Sequence, residues 1–313
     1  MEPTFRDYLG IDWPDRSAKP RKSGITMVMD TGLPLAYVDS MLDQFGEYLD
    51  IAKIWDPHVR APEREIRRKV ESYRAHNVAV QPGGLFMELA RMQARRQRGF
   101  EVEVMRKLAK MGFDVIEISD TVTTTARDMA AESDLIKCAK DLGFKVLGEV
   151  GKKWAEQDET RSSEEVVNEQ VTIDQMCALL EGGADYVYWE GHLLRRVMGE
   201  SAEELLAKRE TGTQQVLRVA EAVGADRIIF EVSGLRPLLN RRTLQFWLVT
   251  LFGPEVNIGN ARLEELCNLE AVRSGSHPVH GFGQAGDYPW LRALNTGRGA
   301  DYKWYQEALH VNR

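Results

Sequence analysis

Acidic, lysine and asparagine residues recur at the ends of short apolar runs, and that recurrence is the feature of this sequence that could do chemistry. They are Asp30, Lys53 with Asp56, Gln81, Glu117 with Ser119 and Asp120, Glu149 with Lys152 and Lys153, Glu190, Glu231, and Asn257 with Asn260. A carboxylate in an apolar strand is costly unless paired or bound to a cation. Several converging on one place would therefore make a cation site. Hard oxygen ligands with no His/Cys cluster suit Mg²⁺ better than Zn²⁺. His277 and His280 form an H-x-x-H without a third ligand and read as surface or packing residues. Lys152 and Lys153 follow Gly151 directly. Two adjacent ammoniums depress each other's pKa, and partial burial acts the same way, so one becomes usable as an acid or base near neutral pH. The NIGN run at Asn257–Asn260, before a helix expected to begin near Arg262, could hold a phosphate on backbone N–H groups.

Residues so spaced need elements that bring them together. Eight short runs rich in Val and Ile have the character of strands covered on both faces: Ile25–Asp30, Tyr48–Trp55, Asn77–Gly83, Asp114–Asp120, Lys145–Gly151, Tyr186–Gly191, Arg227–Val232 and Val256–Asn260. Helical patterns alternate with them: Leu33–Phe45, Ala61–Ala75, Leu85–Gly112 with a break near Gly99, Thr124–Leu142, Thr172–Gly182, Ala202–Val223, Leu239–Phe252 and Arg262–Ser274. Eight strand–helix units predict a single (β/α)₈ TIM barrel over residues 24–275, since eight is the number that closes such a barrel. No G-x-G-x-x-G follows the first run, which argues against a dinucleotide-binding open sheet. In a barrel the C-terminal strand ends carry the catalytic groups. Period-two alternation sets Glu117 and Ser119 on one face of their strand and Ile116 and Ile118 on the other. Residues 1–23 read as an N-terminal extension wrapping an end of the barrel. Residues 276–313, rich in Gly and aromatics, read as a tail packed on the barrel or against a second copy in a homo-oligomer.

The bulk composition narrows the function classes. Across 313 residues there are 41 basic and 48 acidic side chains, a net charge of −7. No global basic field points to nucleic acid or anionic lipid. The three cysteines (Cys138, Cys177, Cys267) are far apart and odd in number, so they read as reduced thiols. The first residues lack a basic start and apolar run, and the most apolar stretch, Leu244–Phe252, is too short to span a bilayer. A cytoplasmic protein is the expectation.

Taken in order, GITMVMDTGLP, YLDIAKIW, VAVQPGGLFMELA, GFDVIEISD, GFKVLGEVGKK, GADYVYWEG, RIIFEV, FGPEVNIGN and LEELCNLEAVRSG resemble the phosphosulfolactate synthase family from about Gly24 to Gly275. These are barrel enzymes of coenzyme M biosynthesis. The resemblance implies a Mg²⁺-assisted lyase that adds sulfite to phosphoenolpyruvate. Glu117, Asp120, Glu149, Glu190 and Glu231 would hold the metal, and Lys153, next to Lys152, would protonate the substrate. Lys53 would face its negative charge. Asn257, Gly259 and Asn260, with Arg273 behind them, would hold phosphate. The substrate-facing loops depart from the family pattern. A Gly-Trp-Gly-Thr run after Lys53 is replaced by IWDPHVR, adding Asp56 and His58. A family lysine is Thr31 here. GHLLRRVMG brings Arg195 and Arg196, and SGLRPLLNRR brings Arg236, Arg241 and Arg242. Arg195, Arg236 and His58 thus become candidate anion ligands, since arginine can replace lysine as a clamp. These departures leave two other readings open: a relative using a different nucleophile or enol acceptor, and a non-catalytic, stress-associated member.

Overall fold

A computed structural model describes residues 3–10, 16–119, 129–151, 168–191, 194, 209–232 and 238–274. Eight strands form one sheet: β1 (Thr26–Asp30), β2 (Ile51–Ile54), β3 (Ala79–Pro82), β4 (Val115–Ile118), β5 (Lys145–Val150), β6 (Tyr186–Trp189), β7 (Ile228–Glu231) and β8 (Asn257–Arg262). Their order is β3-β2-β1-β8-β7-β6-β5-β4, with every pair parallel. The β3 and β4 ends meet through two bonds: Asp114 N–H donates to the Val80 carbonyl at 2.9 Å, and Val80 N–H to the Asp114 carboxylate at 3.0 Å. The sheet is thus a nearly closed (β/α)₈ TIM barrel, as the eight alternations predict.

The same device recurs where other strands begin. Asp50 accepts from Thr26 N–H at 2.9 Å and Asp185 from Val146 N–H at 2.7 Å. Each acid satisfies a strand-end donor that the slanted parallel ladder leaves open.

Around the barrel run α1 (Phe5–Leu9), α2 (Leu35–Phe45), α3 (Glu63–Ala75), α4 (Gly84–Ala94), α5 (Phe100–Met111), α6 (Met129–Asp141), α7 (Glu169–Glu181), α8 (Arg209–Val223), α9 (Leu238–Phe252) and α10 (Leu266–Arg273). The expected break at Gly99 is real: it sits at φ +80 as the N-cap of α5. Alternation along the strands divides the apolar residues into two cores. Val28, Ala52, Val80, Ile116, Val146, Val187, Phe230 and Ile258 pack under the helices. Met27, Ile51, Val115, Leu147, Tyr188 and Ile229 fill the barrel interior.

The last strand differs from expectation. It continues through Arg262, and α10 begins only at Leu266 after a 3₁₀ turn at Leu263–Glu265. NIGN is strand, as the eighth run predicts, and it carries a bulge: Thr26 pairs with Ile258 and Val28 with Ala261, so β8 carries one residue more than β1 between those pairs. Asn260 absorbs it with φ +53, a left-handed conformation that asparagine tolerates.

The N-terminal ends of the strands are held by cations. Arg16 donates to the Pro254 and Gly24 carbonyls, Lys19 to the Gly46 carbonyl at 2.8 Å, and Arg21 to the Glu47 carbonyl and the Asp50 carboxylate. Residues 16–24 thereby lie across that end. The tail expected at 276–313 lies outside the described residues.

Candidate active site

The strand ends opposite that plug hold the acidic groups. Glu149, Glu190 and Glu231 come from β5, from the residue after β6, and from β7. All three are buried, and each offers an oxygen within 4.8 Å of the others'. Contacts that position Glu231 include Asn260 Nδ2, which donates to Oε1 at 2.7 Å, and Gly191 N–H, which donates to Oε2 at 3.2 Å. The bulge in β8 aims Asn260 at this carboxylate. Among the described residues the set consists of carboxylate oxygens at strand ends, with no sulfur or imidazole. Three carboxylates sharing a buried volume repel one another unless a cation joins them. Both properties fit a hard divalent ion.

Glu117 stands apart from this trio. Its Oε2 accepts from Lys53 Nζ at 2.7 Å and from Gln81 Nε2 at 2.8 Å, linking β4 to β2 and β3. All three side chains are buried. The Gly83–Gly84 pair at the start of α4 makes room for two acids. A Cβ on Gly84 would collide with Glu117 Oε1, and one on Gly83 with Asp56 Oδ1. Both carboxylates thus meet the positive end of a helix. Glu117 is in this way a partner of Lys53, and it is not part of the three-carboxylate cluster.

Other residues expected at the site are engaged elsewhere. Asn257 Oδ1 accepts from Ile25 N–H at 3.0 Å, while its Nδ2 donates to the carbonyls of Asp226 and Ile228, so it stitches the starts of β1, β7 and β8. Arg273 donates to the Val256 carbonyl at 2.8 Å and to those of Pro254 and Ile25, again where strands begin. Burial, then the neighbouring Arg16, pulls its pKa below the usual guanidinium value. Neither matches the phosphate role expected of it. The residue types suggested anion binding, but both lie at the plugged end of the barrel. His58 Nδ1 donates to the Trp55 carbonyl, and Nε2 lies 3.4 Å from Lys69 Nζ and 3.8 Å from Asp30. Asp30 has the parity of Val28 and turns outward, taking bonds from Lys69 (2.7 Å) and Tyr73 (3.1 Å) on α3. Ser119 donates to Glu88 on α4 at 2.5 Å. Gly259 lies on the inner face of β8, beside Tyr188. Asp120, Lys152, Lys153, Arg195 and Arg236 lie outside the described residues. Residue types alone did not single out Tyr188, Glu88 or Lys69. The first hides in an apolar strand run, and the other two sit on the buried faces of their helices.

The sequence matches the family model described as (2R)-phospho-3-sulfolactate synthase (ComA) over residues 14–278. The chain belongs to this family. Phosphosulfolactate synthase from Methanocaldococcus jannaschii is 31% identical over 257 residues, covering 80% of this chain and 91% of that protein. The Methanothermobacter thermautotrophicus synthase is 30% identical over 266 residues (84% and 93%). That of Bacillus subtilis is 27% identical over 273 residues (85% and 96%). Among solved structures, the carboxyl transferase domain of Rhizobium etli pyruvate carboxylase with oxamate and biotin superposes with a TM-score of 0.50 at 14% identity. It covers 91% of this chain and 48% of its own, and at that identity the likeness concerns the fold alone. The phosphosulfolactate synthase family is an enzyme family, and its membership here spans the whole barrel. No described helix is long and apolar enough to cross a membrane.

Proposed function

We propose that this member of the phosphosulfolactate synthase family is a Mg²⁺-assisted lyase joining sulfite to phosphoenolpyruvate. The observation that carries the reading is the buried cluster of Glu149, Glu190 and Glu231 at the C-terminal strand ends. Along the chain, Glu149 is followed by Val150, Gly151 and then the pair Lys152 and Lys153. The three glutamates would hold the ion, which when bound supplies positive charge to a substrate carboxylate. Sulfite sulfur attacks the terminal CH₂ carbon and forms the C–S bond, and the π electrons of the double bond move onto the carboxylate as an aci-carboxylate. Lys153 then gives a proton to the carbon bearing the phosphate ester, and the product is phospho-3-sulfolactate. Lys53, held by Glu117 and backed by the Tyr188 ring at 5.1 Å, offers an ammonium to the substrate's negative charge. Gly259 and Asn260, with Arg195 and Arg236 from the segments that follow β6 and β7 in the sequence, are the proposed phosphate contacts.

Incubation with phosphoenolpyruvate, sulfite and Mg²⁺, followed by mass detection of the adduct, tests the reading. Lys153→Met is expected to lower kcat by roughly 10²–10⁴-fold while phosphoenolpyruvate still binds. Absence of the sulfite adduct, together with Mg²⁺-dependent deuterium exchange on another enolisable phosphorylated acid, would replace it with the different-acceptor reading. The rim gives that second reading its support: the Asp56 carboxylate packs on Gly83 and His58 packs beside Asp30 and Lys69, so the loop after β2 is anchored through residues outside the family pattern.

A further inference from the structure

One side chain inside the barrel is accounted for neither by the charge pairs nor by packing alone. Tyr188 is fully buried and faces inward from β6, one inward position below Glu190. Its ring edge rests on β8. A Cβ on Gly259 would stand 2.5 Å from Cε2 and 2.9 Å from the phenol oxygen, so glycine at 259 is what admits the ring. From β2, Lys53 Nζ reaches to 5.1 Å from the ring centroid, within cation–π range. The phenol oxygen makes no hydrogen bond to any described residue. Burial above all, then the charges of Glu231, Glu117, Glu149 and Glu190, raises its pKa well above the usual phenol value. A phenol hydroxyl is a donor as well as an acceptor. Those same four carboxylates place it within the field of the acidic site, yet none of them accepts its hydrogen. A buried hydroxyl without an acceptor is destabilising in itself, and such a group in a functional site calls for an explanation.

We propose that Tyr188 is a substrate-binding residue whose phenol O–H donates to an oxygen of the anionic acceptor at the floor of the site, while its ring face supports Lys53. The inference rests on the function proposed above and adds to it a contact that selects an acceptor with an oxyanion reaching this depth. Gly259 has a part in the selection by leaving room for the ring.

Tyr188→Phe removes the hydroxyl and keeps the ring, so the packing and the Lys53 contact survive. Binding of phosphoenolpyruvate in Mg²⁺ without sulfite, read by titration calorimetry, is expected to weaken by roughly ten- to a hundredfold. The KM for sulfite should stay unchanged, and the ligand-free variant should melt no lower than the wild type. Equal phosphoenolpyruvate affinity in the two proteins, or a lower melting temperature of the ligand-free variant, would overturn the assignment. If the wild type itself fails to bind phosphoenolpyruvate, the functional reading fails, and the contact is then decided with inorganic phosphate and pyruvate as melting probes. Greater stabilisation of the wild type than of the variant by either probe supports Tyr188 as an oxyanion donor; equal responses overturn it.

Discussion

Glu149, Glu190 and Glu231 each bring a carboxylate into one buried volume, so the character of the site turns on what holds them in place. Asn260 does this for Glu231 by donating to its Oε1. Asn260→Ala is expected to weaken binding of Mn²⁺, a spectroscopic stand-in for Mg²⁺, by about ten- to a hundredfold, the range for groups that orient a metal ligand. Glu190→Gln, which removes a charge from the proposed ligand set, should cost more; electron paramagnetic resonance titration measures both. Of the four described carboxylates expected to share a site, Glu149, Glu190 and Glu231 lie together and Glu117 pairs with Lys53; alternation along a strand tells that all four face inward. What it does not tell is height along the barrel axis. Asn257 and Asn260 are close neighbours in one strand, yet one stitches strand starts and the other touches the acidic cluster. Asp30 likewise stands at a strand end, but on the outward parity.

At the scale of elements, α3 is fastened to β1 through a charge. Lys69 donates to Asp30 Oδ2 at 2.7 Å, and both are buried. Lys69→Met keeps most of the aliphatic volume but leaves Asp30 without its ammonium. A loss of about 3–5 kcal/mol is expected, the usual cost of breaking a buried pair from one side, read as a lower urea midpoint with unchanged slope. The far end of α3 offers a pH test. His76, its C-cap, bonds the Ser72 carbonyl and lies 3.1 Å from Asp43 on α2. The backbone bond chiefly, and Asp43 next, raise its pKa. A raised folded pKa means that its contribution is full below about pH 6.5 and is lost as pH rises through the folded value. Wild type should therefore exceed His76→Ala in stability near pH 5.5, by at most about 1 kcal/mol for so exposed a pair, with the gap closing by about pH 8.5. Helices and strands were legible because their apolar periods are clear. The Asp30–Lys69 tie was not, since a lysine on a charged helix face carries no mark that it turns inward.

For the molecule as a whole, stability and the acidic cluster are linked. An ion that binds only the folded barrel stabilises it by mass action, about 2.7 kcal/mol at roughly a hundred times the dissociation constant. The melting temperature is expected to rise with Mg²⁺ and to fall on chelation, and Glu190→Gln should flatten the response. A flat wild-type response would remove the cation from the account of the cluster. Eight alternations sufficed to specify the barrel, because parallel strands with crossover helices have few other ways to close. The closure itself is less regular than eight equal units would make it. Where β8 meets β1, one strand holds an extra residue that its neighbour cannot match. It acts as a dislocation in a lattice of period two: below it, odd-numbered residues of β8 face the lumen, and above it the phase has slipped by one. A strand with unbroken phase could present Asn257 and Gly259 inward but would send Asn260 to the helices. The slip lets one short strand supply a structural clamp, a space for an aromatic ring and a hydrogen bond to an acid. Deleting a single residue here would rewrite the chemistry of one wall while leaving its composition almost intact.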